Sequence, residues 1–446
     1  MTTAWQTLVV GLGQTGLSVV HYLAKRGIGF AVVDSRENPP GKDELLQRYP
    51  NVEHYFGAFA QAQPLFQAAN TLIVSPGIAI ATAEIHAAQQ RGAAIIGDIE
   101  LFVREAQAPI IAITGSNGKS TVTTLVELMA KTAGLQAYAG GNLGYSALDL
   151  LEQPVPDLYV MELSSFQLET THSLKAISAV VLNVSEDHLD RYASYADYAA
   201  AKQVVYQHCQ CAVVNRDDAL VMQMLANSNY ASSVSFGLDV PDVGQYGVRE
   251  HEGQRWLAKG ETLLLAANEM KLPGEHNIAN ALASLALGEA AGIPLQGMLQ
   301  ALREFTGLKH RTQWVRERKA VSWYNDSKGT NVGATLAALA GLPGKTVLIA
   351  GGQGKGADFS PLRAVSAEKA RALVLMGEDR QLIAEAVQGY APYVFAQDMA
   401  EAVTLAADLA QPGDNVLLSP ACASFDMFKS YAHRGDVFTQ LVQALP

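Results

Sequence analysis

Residues 110–129 constrain the fold of this chain more than any other stretch. They read Ile110-Ile-Ala-Ile-Thr114-Gly115-Ser116-Asn117-Gly118-Lys119-Ser120-Thr121, continuing Val122-Thr-Thr-Leu-Val-Glu-Leu-Met129. The apolar, β-branched run predicts a buried strand. Beyond a loop of small residues, Leu125, Leu128 and Met129 recur at helical spacing on one face. Strand, glycine loop and helix in that order aim the loop N–H groups and the helix N-terminus at a single point. Lys119 can then reach a terminal phosphate and Ser120 can hold Mg²⁺, so the segment predicts a nucleoside triphosphate site. The common pattern carries one more glycine, where this chain has Ile113, so the loop is a shortened form. A mere strand-to-helix turn would leave Lys-Ser-Thr at the helix start as a coincidence.

Composition then excludes several classes. A chain of 446 residues is long enough for about three domains, each with its own core. Its hydrophobic share of 49% and charged share of 17% describe a packed globular chain rather than a disordered one. A net charge of −11 argues against nucleic acid as a partner, because phosphate backbones recruit basic surfaces. The start, Met1-Thr-Thr-Ala-Trp-Gln-Thr, has no basic region and the apolar runs are short, so neither a leader nor a membrane anchor is expected. The cysteines, Cys209, Cys211 and Cys422, are sparse, which fits a cytoplasmic protein. His208-Cys209-x-Cys211 lacks a fourth ligand at suitable spacing, so these thiols are expected to be free.

The strand–glycine-loop start occurs three times. The first is Thr7-Leu-Val-Val-Gly11-Leu-Gly13-Gln14-Thr15-Gly16 and the second is the phosphate loop. The third is Lys345-Thr-Val-Leu-Ile-Ala-Gly351-Gly352-Gln-Gly354-Lys355. Each opens a parallel α/β unit, with further strands expected near residues 28–33, 71–74, 158–161, 179–182, 212–214, 372–376 and 415–418. Three α/β domains are expected, with boundaries near Gly97-Asp98 and Thr306-Gly307: residues 1–97, 98–306 and 307–446. The third loop has no Ser or Thr after Lys355, so it is not a second triphosphate site.

Several constellations carry chemistry. Gly11-x-Gly13-x-x-Gly16, with Asp34 ending the next strand, fits a fold that binds a diphosphate, the acid taking ribose hydroxyls. A dinucleotide and a UDP-sugar would both satisfy it. Glu162 ends a hydrophobic strand downstream of the phosphate loop, where an acid can hold Mg²⁺. Glu186-Asp187-His188-Leu-Asp190-Arg191-Tyr192 follows another buried strand, which makes His188 a candidate ligand or substrate contact. On its own, Lys202 in Tyr198-Ala-Ala-Ala-Lys202 reads as a solvated lysine. His276-Asn277-x-x-Asn280, His310-Arg311 and Asn325-Asp326-Ser327-Lys328 supply amides, cations and an acid. Ser419-Pro-Ala-Cys422-Ala-Ser424-Phe425 follows the last strand and could form an anion pocket.

Taken in one order, these motifs resemble the Mur ligases from the first glycine loop to the C-terminus, with Ser75-Pro-Gly77 and Met161-Glu-Leu-Ser-Ser-Phe-Gln-Leu-Glu169 adding to the match. Sister ligases carry a Tyr-Ala-His-x-Pro segment where this chain has Asn325-Asp-Ser-Lys-Gly-Thr-Asn331, which favours D-glutamate as the added amino acid. Gly329 departs from the alanine expected in relatives, and Tyr431 stands where phenylalanine is also found. The resemblance implies an α/β enzyme with a Rossmann-like N-terminal domain, a phosphate-loop ATPase-like central domain and a Rossmann-like C-terminal domain. Such an enzyme would use ATP to join D-glutamate to UDP-N-acetylmuramoyl-L-alanine through an acyl phosphate, releasing ADP and phosphate for peptidoglycan precursor synthesis.

It also implies roles. Gly11, Gly13, Gln14, Thr15, Gly16 and Gly77 would hold the uridine diphosphate, with Asp34, Ser35 and Arg36 near uracil. Gly115 to Thr121 would bind the ATP phosphates, and Asn280, Arg311 and Asp326 the nucleoside. Ser120 and Glu162 would hold one Mg²⁺; His188 and a carbamylated Lys202 would serve a second. Lys119, His188 and Lys202 would carry the chemistry. Asn142 and His188 would contact the acyl substrate, and Lys328, Thr330, Lys355, Ser424, Phe425 and Tyr431 would surround D-glutamate. A monomer is expected.

Overall fold

The computed structural model describes residues 5–185, 191, 192, 194–226 and 228–446. The first sheet holds β1 (Thr7–Val10), β2 (Phe30–Asp34), β3 (His54–Phe56), β4 (Thr71–Val74) and β5 (Ala94–Ile96), in the order β3-β2-β1-β4-β5. All its pairings are parallel, and Val9 stands between Val32 and Ile73. Helices cover both faces of such a sheet, which is why β2 is buried at every position and reads as an unbroken apolar run ending in Asp34.

The second sheet has nine strands. They are β6 (Ile110–Thr114), β7 (Ala137–Gly141), β8 (Leu158–Glu162), β9 (Ser178–Val181), β10 (Cys209–Asn215), β11 (Tyr230–Phe236), β12 (Tyr246–His251), β13 (Gln254–Lys259) and β14 (Thr262–Ala266). Their order is β14-β13-β12-β11-β10-β9-β6-β8-β7. The third sheet, ordered β15-β16-β20-β17-β18-β19, comprises β15 (Gln313–Arg318), β16 (Val321–Asn325), β17 (Thr346–Gly351), β18 (Ala370–Met376), β19 (Tyr393–Phe395) and β20 (Asn415–Leu418).

In each sheet the strand that feeds a glycine loop sits where the winding reverses. β1 lies between β2 and β4, β6 between β9 and β8, and β17 between β20 and β18. At such a point the connections on either side leave in opposite directions and open a crevice at the carboxyl ends of the strands. The three loops therefore stand where an α/β sheet binds ligands.

Each strand expected from an apolar run is present, with slightly shifted ends. The hairpins were not read from the sequence. β12 and β13 pair antiparallel across Glu252-Gly253, and β15 and β16 across Lys319-Ala320; all four turn residues have positive φ. Those are the conformations that two-residue hairpin turns require, and Lys-Ala carries none of the usual signals for them. The helix that carries Asn280 spans Glu275–Ala290, so His276 and Asn277 lie in its first turn.

Chain contacts divide the molecule into two compact units. One comprises residues 1–265 and 279–301 and carries the first two sheets. The other comprises 266–278 and 302–446 and carries the third. Among the described residues no helix is long and apolar enough to cross a membrane.

Candidate functional site

In the first sheet the backbone turns at Gly11, whose φ of +93° favours glycine. A side chain at Gly16 would collide with the Gly11 carbonyl, so the loop and the helix Gln14–Lys25 pack as closely as the fingerprint requires. That helix has no side-chain cap, which leaves its first N–H groups open to an anion. The loop faces a cavity of about 530 Å³ that Gln14, Thr15, Ser35, Arg36 and Gly77 line on one side and Asn142 and Gln167 on the other.

Asp34 takes a different position from the one its motif suggests. It is fully buried and accepts from Leu12 N at 2.6 Å, from Arg36 N and Nε at 2.9 Å each, and from Arg36 Nη2 at 2.7 Å. Burial works to raise its pKa, but these donors hold the carboxyl below the usual range. Its acceptor capacity is spent on the chain. Asp34 thus shapes the loop and presents Arg36 to the cavity rather than offering itself to a ribose.

The phosphate loop of the second sheet is built from both sides. Gly115 and Gly118 have φ of +146° and +84°, and a Cβ at Gly118 would stand 2.6 Å from Asn280 Oδ1. Asn183 follows β9 and staples the loop: it accepts from Ser116 N at 2.9 Å and from Asn117 N at 2.8 Å, and its amide donates to Asn117 O at 3.1 Å. Tyr198 OH lies 3.1 Å from Ser116 Oγ. Neither Asn183 nor Tyr198 was assigned a role from sequence; the one signal was a polar side chain at the carboxyl end of a strand flanking β6. The helix Lys119–Thr132 starts at left-handed Gly118 without a side-chain cap, so Lys119, Ser120 and Thr121 form its first turn at the end of the loop. Lys119 Nζ donates to Gly115 O at 2.7 Å and Ser116 O at 2.9 Å, arched over the same loop.

Glu162 ends β8, the neighbour of β6, and is 2% exposed. Its Oε1 accepts from Asn142 Nδ2 at 2.6 Å, while Oε2 is buried with no hydrogen-bond partner among the described residues. A buried carboxylate oxygen left without a donor is costly in an otherwise paired interior. A hard cation is the partner it suits, and Ser120, in the first turn of the helix that follows the neighbouring strand β6, carries an oxygen of the kind Mg²⁺ takes beside phosphates. Asn142 also lines the cavity of the first glycine loop, so one amide touches both places.

Lys202 is 2% exposed, which corrects the reading of it as a solvated lysine. Its Nζ donates to Gly115 O at 3.1 Å and lies 4.4 Å from the Tyr198 ring centroid, because its helix packs against the loop base. His188 falls outside the described residues. Among the described residues no group of three or more His, Cys, Asp or Glu side chains could form a metal cage. The three thiols are free, and burial pushes Cys209 up to about 12.

In the unit of the third sheet, His276, Asn277, Arg311, Asp326 and Lys328 line a cavity of about 390 Å³. Asp326 accepts from Thr312 N at 3.0 Å and Ser419 Oγ at 2.7 Å, and burial pushes its carboxyl up to about 6. A Cβ at Gly329 would crowd Asp326 Oδ2 and Ser419 Oγ, so an alanine there would make them shift. Lys328 Nζ lies 5.6 Å from the Tyr431 ring centroid and Lys355 Nζ 5.9 Å from that of Phe425. Ser424 is buried and Thr330 exposed. Asn280 belongs to the first unit, whereas Arg311 and Asp326 belong to the second.

Comparison with known proteins accords with this layout. Residues 5–97 match the Mur ligase MurD-like N-terminal domain, 113–288 the Mur ligase middle domain, and 310–422 the Mur ligase glutamate ligase domain. The chain is 51% identical to a UDP-N-acetylmuramoylalanine–D-glutamate ligase of Nitrosococcus oceani, over 98% of this chain and 96% of that protein. It is 53% identical to the Pseudomonas aeruginosa protein of the same name, over 98% of each. Its fold is similar to a solved UDP-N-acetylmuramoyl-L-alanyl-D-glutamate–2,6-diaminopimelate ligase, with a TM-score of 0.61 and 18% identity over 99% of this chain and 95% of that one. It is also similar to the UDP-N-acetylmuramate-alanine ligase of Thermotoga maritima, with a TM-score of 0.56 and 18% identity over 98% and 99% of the two chains.

Proposed function

Because this chain belongs to the Mur ligase family, we propose that it joins D-glutamate to UDP-N-acetylmuramoyl-L-alanine at the expense of ATP, yielding ADP and phosphate. The observation that carries the reading is the shared position of Asn142. It borders the diphosphate cavity and donates to Glu162 beside the phosphate loop, so an acyl group entering from one side meets a triphosphate held on the other.

Each part of the chain then has a task. The Gly11 loop and Arg36 hold the uridine diphosphate, and Asn142 orients the alanyl carboxylate. The helix N-terminus at Gly118 to Thr121 and the Lys119 ammonium gather the phosphates of ATP and offset repulsion as the carboxylate attacks the γ-phosphorus and ADP leaves. Ser120 and Glu162 would hold Mg²⁺, which the family uses with ATP and which supplies further charge neutralisation. The acyl phosphate so formed has a leaving group that a free carboxylate lacks. The D-glutamate amine adds to its carbonyl, the nitrogen gives up a proton, and phosphate departs to leave the amide. Lys328, Thr330, Lys355, Ser424, Phe425 and Tyr431 hold the amino acid, and Asn280, Arg311 and Asp326 the nucleoside. Residues 1–97, 98–306 and 307–446 serve the three substrates in turn, in a monomeric cytoplasmic enzyme.

Phosphate release with ATP, UDP-N-acetylmuramoyl-L-alanine and each candidate amino acid tests the reading. Turnover with D-glutamate and ADP as the product is expected. AMP with pyrophosphate, or turnover indifferent to the amino acid, would overturn it.

A second Mg²⁺ would be served by His188 and Lys202, the latter as a carbamate. The support is the burial of Lys202 against the loop carbonyl of Gly115. Adding CO₂ turns an amine into a carboxylate, which suits a hard cation. Lys202→Ala is expected to lose ligation, with partial recovery in formate or acetate. Unaltered ligation in that variant would remove the carbamate.

A further inference from the structure

The pocket proposed above for the amino acid rests on two segments far apart in sequence, Asn325–Lys328 and Ser419–Ser424. One buried side chain ties them together. Arg434, on the helix Tyr431–Ala444, is 2% exposed. Its Nε donates to Ser327 Oγ at 3.0 Å, and Nη2 to Ser327 O at 2.9 Å and Cys422 O at 3.1 Å. Nη1 donates to Cys422 O at 3.2 Å and Ala423 O at 3.3 Å. The Ser327 hydroxyl in turn donates to Tyr431 O at 2.7 Å.

The acceptors decide what this arginine does. A buried guanidinium ordinarily faces a carboxylate, yet among the described residues every acceptor here is a carbonyl or a hydroxyl. Arg434 is therefore not spent in an ion pair. Burial lowers its pKa to about 10, so it stays charged at neutral pH. A rigid planar fork with five donors sets both the distance and the angle between the groups that accept from it. Next in sequence to those groups stand Lys328 and Ser424, and the serine relay ends on Tyr431. These three are residues assigned to D-glutamate above.

We propose that Arg434 is a positioning residue for the amino-acid substrate: its fork holds Lys328, Ser424 and Tyr431 at the spacing that an acidic amino acid needs. The inference rests on the assignment of this pocket. It also gives Ser327 a task, as the relay between the fork and the Tyr431 carbonyl.

The full chain, with Arg434→Lys, Arg434→Met and Ser327→Ala, tests it through KM values for D-glutamate, ATP and UDP-N-acetylmuramoyl-L-alanine, beside thermal unfolding. Lysine keeps the charge and loses the fork, so Arg434→Lys is expected to raise KM for D-glutamate about tenfold or more, because small misplacements at a site are costly. Ser327→Ala, which removes a single hydroxyl, is expected to raise it about threefold through loss of one or two hydrogen bonds. KM for the nucleotide-sugar, whose proposed pocket shares no residue with this one, stays within about twofold, the scatter of unaffected sites. An unchanged KM for D-glutamate in Arg434→Lys and in Ser327→Ala overturns the proposal, as does a parallel rise of all three KM values. If neither arginine variant folds, Ser327→Ala decides alone. A wild-type enzyme that ignores D-glutamate would instead sink the pocket assignment, which separates the two failures.

Discussion

Lys119→Ala is expected to abolish ATP-driven ligation while leaving the fold intact. The ammonium group bonds to the carbonyls of Gly115 and Ser116, one turn away at the rim of the loop, so its loss removes no packing from the core. What disappears is a fixed positive charge aimed at the phosphates as negative charge shifts between them. Groups placed that way contribute about 3–4 kcal/mol, or about 10²–10³ in rate. The expected result is a fall of at least that size in phosphate release, with the unfolding temperature within a few degrees of wild type. Loss of structure rather than of charge would show as early melting. Residual turnover within about tenfold of wild type, far less than such a charge contributes, would assign the phosphate site elsewhere.

Glu162→Gln carries the second large effect. Glutamine can still accept from Asn142 through one oxygen, so the wall that both proposed substrates share is kept. The buried oxygen now without a partner becomes an amide, which repels a cation instead of binding it. Turnover at saturating substrates is expected to drop about 10²–10³-fold, comparable with the removal of one electrostatic stabiliser. The diagnostic measurement is thermal. Ligand bound to the native state raises the melting temperature, and more so the tighter it binds, so magnesium-ATP should stabilise the wild type and barely move the variant. Equal stabilisation of both would show that Glu162 holds no metal.

Part of this site was legible because glycines and strands announce themselves. β-branched runs ending in Gly11, Gly115 and Gly351 betray both a buried parallel strand and the turn that follows it. The side chains around them were harder. Lys202 looks like a solvated lysine because a sequence shows its neighbours along the helix, not the loop packed against it. Asp34 looks like a ribose ligand because its motif does not show that Leu12 N and Arg36 have already claimed its oxygens. The hairpin at Lys319-Ala320 was invisible because nothing in that dipeptide favours positive φ.

Local pattern alone determined that the chain is α/β, that it is wound around parallel strands, and that one loop has the strand–glycine–helix form of a phosphate cradle. These depend on periodicity and on residues within a few positions of each other, which short-range sterics and hydrogen bonding dictate. Only the tertiary structure decided which polar atoms are already satisfied: that Glu162 keeps an oxygen without a donor among the described residues, that Asn183 staples the phosphate loop, and that Arg434 joins segments about a hundred residues apart in the chain. Hydrogen-bond satisfaction is a property of buried neighbourhoods, and a neighbourhood exists only once distant segments have packed.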